Sequence, residues 1–230
     1  MEHAQAFEFK TEGKEISALN LYCGIGGNRK LWPENVRVTA VEKNPDIAAV
    51  YKHYFPNDNV IVGDAHKYLL EHYQEFDFIW TSRPCTTHSR ANFWASRNTD
   101  NREKYYPDFG LYQEITFLRH WYDGKWVAEN VTPYYEPLIA PDKKLGRHIF
   151  WSNFRIRDFN AIDADIHKGK RDEWSELFGF DLSQFKINTR KDQIYRNCVH
   201  PDTGLHVFNC AVGVLNSNAL HQTSLWNTEL

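Results

Sequence analysis

The chain has 230 residues, 42% of them hydrophobic, which suits one globular α/β domain with a full core and argues against disorder. Its net charge of −3 carries no overall nucleic-acid footprint, so such a partner has to be argued from local patches. No apolar run approaches membrane-spanning length, and Cys23, Cys85, Cys198 and Cys210 form neither a CxxC pair nor a zinc-like cluster, so no membrane and no metal are expected.

Residues 1–15 are polar and carry acids, which predicts neither a signal nor a transit peptide. With free thiols, the expectation is a soluble cytoplasmic protein. Residues 16–22 read as a strand that runs straight into Gly24-Ile25-Gly26-Gly27. A second strand over 36–41 closes on Glu42. In 46–54 the apolar positions Ile47, Val50, Tyr51 and Tyr54 recur at helical spacing, and Pro56 stops the helix. A short strand at 60–62 ends in Gly63-Asp64, a helix follows over 65–73, and 76–80 is a fourth, buried strand. Leu111, Ile115, Leu118 and Tyr122 mark one helix face, and 126–128 a fifth strand. Strands alternating with helices predict parallel βαβ units and a doubly wound, mostly parallel sheet.

The rhythm fades after Val131. A strand is predicted over 149–154, 156–185 is irregular and rich in both charges, and periodicity returns in a terminal helix over 204–215. This divides the chain into a core (1–154), a small insertion (155–195) and a return to the core (196–230).

Five strand ends carry chemistry. Glycines 24, 26 and 27 let backbone N–H groups approach a ligand at a helix N-terminus, and Glu42 stands where nucleotide-binding sheets place a ribose-holding carboxylate. Asp64 can accept from an adenine amino group. A tight turn with ordinary loop acids is the plainer reading; two carboxylates at successive strand ends favour an adenosine-bearing cofactor, and the incomplete GxGxxG counts against NAD. Cys85 follows Pro84 at the break of the fourth strand, with Arg83, His88 and Arg90 near enough in sequence to stabilise a thiolate. Glu129, at the end of the fifth strand, opens on the same sheet edge. A carboxylic acid beside a cysteine suggests nucleophilic attack coupled to proton donation.

Leu21-Tyr22-Cys23-Gly24-Ile25-Gly26-Gly27, Glu42, Asp64, Pro84-Cys85, Glu129-Asn130-Val131 and Arg196-Asn197-Cys198-Val199 stand in the order found in DNA cytosine-5 methyltransferases, and from about Ser17 to Cys210 the chain resembles that family. The resemblance implies a sheet of the S-adenosylmethionine-dependent, Rossmann-like type, with an insertion that recognises the target. It implies S-adenosylmethionine as cofactor, held by Tyr22, Gly24, Ile25, Gly26, Gly27, Glu42, Asp64, Asn197 and Val199. It makes Cys85 the nucleophile that adds to C6 of a flipped-out cytosine, with Glu129 at N3 and Arg147 supporting both.

Double-stranded DNA is the implied partner of a favoured monomer, in a bacterial or phage-infected cell. Arg83, Ser89, Arg90, Arg97, Arg155 and Lys170 are the expected DNA contacts. A tRNA cytosine-5 methyltransferase and an inactive methyltransferase-like DNA-binding protein are the alternatives. The chain departs from the family in three ways: it is short, Arg83 precedes Pro84-Cys85 where the family has a second proline, and Arg196 replaces the glycine before Asn197. A recognition segment this small implies a short site, about two to four base pairs.

Overall fold

The computed structural model describes residues 15–98, 106–161 and 171–213. Seven strands form one sheet in the order β3-β2-β1-β4-β5-β7-β6. They are β1 (Ile16–Leu21), β2 (Val36–Glu42), β3 (Asn59–Val62), β4 (Phe78–Thr81), β5 (Lys125–Val131), β6 (Lys143–Leu145) and β7 (His148–Ser152). The first five are mutually parallel, and β7 and β6 add an antiparallel edge. The doubly wound, mostly parallel sheet expected from the sequence is therefore present. The chain order reverses between β1 and β4, so the crevice where such sheets hold ligands opens beyond the C-terminal ends of these two strands.

The helices are α1 (Pro45–Tyr54), α2 (Ala65–His72), α3 (Arg90–Arg97), α4 (Gly110–Trp121), α5 (Arg171–Phe178), α6 (Lys191–Asn197) and α7 (Pro201–Val212). Central strands are apolar on both faces because both are covered. Leu19, Leu21, Ile79 and Trp126 meet Leu69 of α2 and Leu111, Ile115 and Leu118 of α4. On the other face Ala18, Phe78 and Trp80 meet Tyr51 of α1 and Val207 and Phe208 of α7. There Trp32 stacks on Phe208 with centroids 4.8 Å apart and donates its indole N–H to the Gly204 carbonyl at 3.3 Å. A Cβ at Gly204 would lie 2.3 Å from the Asn28 carbonyl oxygen, so close backbone approach explains a glycine inside α7 despite its helix penalty of about 1 kcal/mol.

Local signals set the helix starts. Asn44 caps α1, its side-chain oxygen accepting from the amides of Asp46 (2.9 Å) and Ile47 (3.4 Å), and Pro45 fills the first helical position. Asp64 caps α2 through the Lys67 amide at 3.0 Å.

Two expectations are corrected by the backbone. No helix follows the glycine loop. Positive φ at Tyr22 (54°), Gly24 (55°) and Gly26 (87°) turns the chain into successive tight turns, closed by Gly26 N–H to Cys23 O (2.9 Å) and Arg29 N–H to Gly26 O (3.1 Å). Strand β5 also runs on through Val131, so Glu129 lies inside it, opposite Phe150, because β7 continues the ladder.

The insertion is more ordered than its patterning suggested. Trp174, Phe178, Phe180, Leu182, Ile194 and Tyr195 form a third cluster with Ile25 and Val50 of the core. Polar ties join this segment to α1: the Tyr54 hydroxyl donates to Asp181 O (2.8 Å), the Asn188 amide to Asp46 (3.1 Å) and the Asn44 amide to the Thr189 hydroxyl (3.2 Å). Trp174, Leu177 and Phe178 of α5 do stand at three- and four-residue steps, but a helix of eight residues repeats the pattern too few times to stand out in the sequence. The predicted terminal helix ends at Gly213 in the left-handed conformation, and positions 214–215 lie outside the described residues.

Candidate active site

One cavity of about 580 Å3 spans the strand ends, within the usual range for small-molecule sites. Gly24, Glu42, Asp64 and His66 line it beyond β1–β3, and Cys85, Glu129 and His148 beyond β4, β5 and β7. Tyr22, Ile25, Gly27, Asn197 and Val199 also line it.

At the β1–β3 end Glu42 accepts from the amides of Gly24 (3.1 Å) and Asn44 (2.9 Å), one per oxygen. Each oxygen keeps lone-pair capacity for a ligand hydroxyl. A Cβ at Gly24 would meet nothing within 4 Å, leaving open room beside that carboxylate. Close packing also requires Gly26 and Gly27: a Cβ there would lie 2.4 Å from the Phe55 ring and 2.4 Å from the Val199 carbonyl oxygen, and of the two Gly27 lines the cavity. Ile25 is a core residue with one wall on the cavity. Asp64 spends one oxygen on the α2 cap, and that backbone hydrogen bond holds its carboxyl below the usual range. Asn197 takes the Gln193 amide at 2.8 Å, and Val199 is buried against the glycine turn. A diol-accepting carboxylate, open backbone and an exposed second acid suit an adenosine-bearing cofactor.

At the other end Cys85 opens a short 3-10 turn, Cys85–Thr87, just past β4. Burial, then the Glu129 charge, push its thiol up to about 11 against the pull of Arg147, so it rests as a thiol. The cations expected to stabilise a thiolate are committed elsewhere. His88 is buried on the Tyr135 hydroxyl (2.6 Å), and burial keeps it neutral. Arg90 Nε donates to Pro133 O at 3.0 Å.

Arg83, expected to contact DNA, turns its side chain inward. Its guanidinium makes two bonds to Asp108 Oδ2 (3.1 and 2.8 Å), one to Glu114 (2.7 Å) and one to the Tyr22 hydroxyl (2.8 Å). Fully buried Glu114 also accepts from Tyr22 (2.6 Å) and Thr81 (2.7 Å) and contacts His66 Nδ1 at 3.0 Å. Burial alone would raise the Glu114 carboxyl; these partners outweigh it and hold it below the usual range. The Arg83 carbonyl accepts from Asn130 at 3.0 Å, tying the cysteine turn to β5.

Glu129 is 5% exposed, and His148 Nδ1 lies 2.5 Å from its Oε1. Burial pushes its carboxyl up, but His148, the Ser82 hydroxyl and Arg147 prevail and hold it ionised. Arg147, expected beside Glu129, sends Nη2 to the Cys198 carbonyl at 2.9 Å; it acts on the site by its charge. His148 is the residue that the sequence reading missed. Its signal lay in register: the predicted strand starts at 149, one residue later than β7, and so leaves His148 outside it.

The remaining expected DNA contacts divide. Ser89 caps α3, taking the Asn92 amide at 3.5 Å. The side chains of Arg90, Arg97 and Arg155 are exposed, with Arg97 6.0 Å from the Trp94 ring. Lys170 lies outside the described residues. Among the described residues no cluster of three His, Cys, Asp or Glu could hold a metal, and no helix is long and apolar enough to cross a membrane.

A family model described as C-5 cytosine-specific DNA methylase matches residues 16–131, just over half of the chain. The search of curated proteins found no match. Among solved structures, a Spodoptera frugiperda DNMT2 mutant is 27% identical over 50% of this chain and 35% of its own, with a TM-score of 0.35. The match thus spans about a third of that protein's length. A SAM-dependent methyltransferase from Agrobacterium tumefaciens is 15% identical over 54% of this chain and 41% of its own, TM-score 0.38. A TehB-like SAM-dependent methyltransferase from Corynebacterium glutamicum is 16% identical over 51% and 56%, TM-score 0.33. The matched family model includes β1 through β5 and the residues from Gly24 to Glu129 that line the cavity, and by it the chain belongs to the C-5 cytosine-specific DNA methylases.

Proposed function

We propose that this protein transfers a methyl group to C5 of a flipped-out cytosine in DNA through a covalent bond between Cys85 and C6. The observation that carries the reading is that Cys85 and Glu129 share one cavity with Gly24 and Glu42. S-adenosylmethionine is the cofactor of this chemistry and supplies an electrophilic methyl group. Gly24 and Glu42 would hold its ribose, and Asp64 its adenine.

Cytosine C5 is too electron-poor to take a methyl group unaided. In the proposed path Cys85 loses its proton to solvent as the sulfur bonds to C6, while N3 takes a proton that reaches it through Glu129. C5 is then nucleophilic. After methylation a base takes the C5 proton, the Cys85–C6 bond breaks and N3 returns its proton. C6 is out of reach in a stacked duplex, so the base has to leave the helix, which costs a few kcal/mol.

Exposed Arg90, Trp94 and Arg97 on α3 follow the cysteine turn directly and suit a phosphate backbone. The segment 155–195 is proposed to recognise the target. Its large aromatics are committed to the third cluster, which favours a short site.

The test is labelled-methyl incorporation into duplex DNA and into tRNA, with wild-type protein and Cys85→Ala. The reading expects transfer to DNA, its complete loss in Cys85→Ala with cofactor affinity retained, and a covalent adduct on 5-fluorocytosine DNA. Normal turnover of Cys85→Ala would refute the nucleophile, and transfer to tRNA alone would move the substrate. Bisulfite sequencing of the product reads the recognition site.

A further inference from the structure

We propose that His148 is the positioning residue of Glu129 and supplies, through it, the proton that N3 takes; this rests on the methyl-transfer reading above. In the β5–β7 ladder Val131 stands opposite His148 and Glu129 opposite Phe150. Residues two apart share a face of the sheet, so His148 lies diagonally beside Glu129 with both side chains aimed the same way. The two are 8% and 5% exposed, and Nδ1 is 2.5 Å from Oε1. A carboxylate only accepts, so Nδ1 carries the hydrogen. From the end of β4 the Ser82 hydroxyl also bonds to Glu129, and Ser82 is itself fixed by the Trp80 indole N–H at 2.7 Å. Glu129 is thus held from two separate elements, with its orientation set before any base arrives.

The chemistry then needs one proton. Glu129 rests as a carboxylate and cannot donate to N3 until it has been given one. The imidazolium form of His148 passes its Nδ1 proton to Glu129, and the resulting carboxyl passes one to N3 as sulfur bonds to C6. The imidazole is left neutral. When the adduct breaks, N3 gives a proton back to Glu129 and Glu129 gives one to His148. Cys85 and Arg147 are ionisable groups that also bear on Glu129, and β6 presents the apolar Leu145 opposite His148. A guanidinium in this place could not give up a proton, whereas an imidazole can.

The experiment is single-turnover methyl transfer to duplex DNA between about pH 6 and pH 9, with cofactor affinity measured in parallel. It compares wild-type protein, His148→Asn and His148→Ala. Asparagine keeps an N–H for Oε1 but cannot change charge. Expected for the wild type is a fall in rate on the alkaline side. His148→Asn should lose that alkaline limb and run about 10- to 100-fold slower at neutral pH, and His148→Ala slower still. Cofactor affinity should be unchanged in all three, which separates the effect from damage to the fold. The same pH profile in wild type and His148→Asn, or a His148→Ala rate within about twofold of wild type, overturns the assignment. A wild-type protein that transfers no methyl group and forms no adduct overturns the reading beneath it as well, and that result appears before any variant is compared.

Discussion

At the β1–β3 end of the cavity the recognising groups are backbone amides and strand-end carboxylates. At the β4–β7 end they are side chains locked to one another across elements. Glu42 is held by amides 18 and 2 residues away. Glu114 is held by side chains 92, 48, 33 and 31 residues away. The first kind of site is made by topology, since any parallel strand delivers its last residue to the same edge. The second depends on which rotamers interlock, and each member needs all the others.

The sharpest way to break this contrast is Glu114→Ala. It leaves the Arg83 guanidinium half-buried and short of its main counter-charge, and breaking a buried ion pair from one side costs about 3–5 kcal/mol. Urea unfolding should show that loss together with weaker catalysis, because the same arginine anchors the cysteine turn. A variant as stable as wild type would mean that the network is decorative.

Acid should act at the same end. Glu114, Glu129 and Asp108 are held below the ordinary carboxylate range, Asp108 against its own partial burial by Arg83 and the Gly110 amide. Their stabilisation is complete above the unfolded carboxylate values of about 4 and is lost as pH falls below them toward the folded ones. The urea midpoint should therefore drop below about pH 4, and less steeply in Glu114→Gln than in wild type.

Glu42→Gln should give the smallest effect. It keeps one acceptor for the Gly24 loop and loses the charge. Calorimetry should find cofactor binding weaker by about tenfold, with stability within about 0.5 kcal/mol of wild type.

The same contrast decides what could be read from the sequence. β1 to β5, α1, α2 and α4 announce themselves by period and by punctuation such as Pro56. Glu42, Asp64 and Cys85 follow from being last on, or just past, a parallel strand. His148 does not follow, because its meaning depends on an antiparallel register that a run of five residues leaves open. Nor does the inward turn of Arg83: an arginine beside Pro84-Cys85 looks like a DNA contact until its partners, Asp108 just before α4 and Glu114 on it, 25 and 31 residues on, are seen. Helix α3 was hidden because Phe93 and Trp94 are adjacent rather than at helical spacing, and α5 and α6 because eight and seven residues are too few to mark a face.

The arginine before Pro84-Cys85 places a cation at the N-terminus of α4, where the helix dipole is already positive. A Cβ on Gly110 would come within 2.3 Å of the guanidinium, so the helix begins with the one residue that leaves room for it. Asp108 settles both problems, accepting from the Gly110 amide at 2.9 Å and pairing with Arg83 through its other oxygen. The change at position 83 is therefore one part of a set. Chains that carry Arg-Pro-Cys at this point are expected to carry Asp-x-Gly-x-x-x-Glu at the start of the next long helix, and chains with Pro-Pro-Cys are free to lose it. Grafting the arginine alone into a Pro-Pro-Cys relative should destabilise it, and adding the other three residues should restore it.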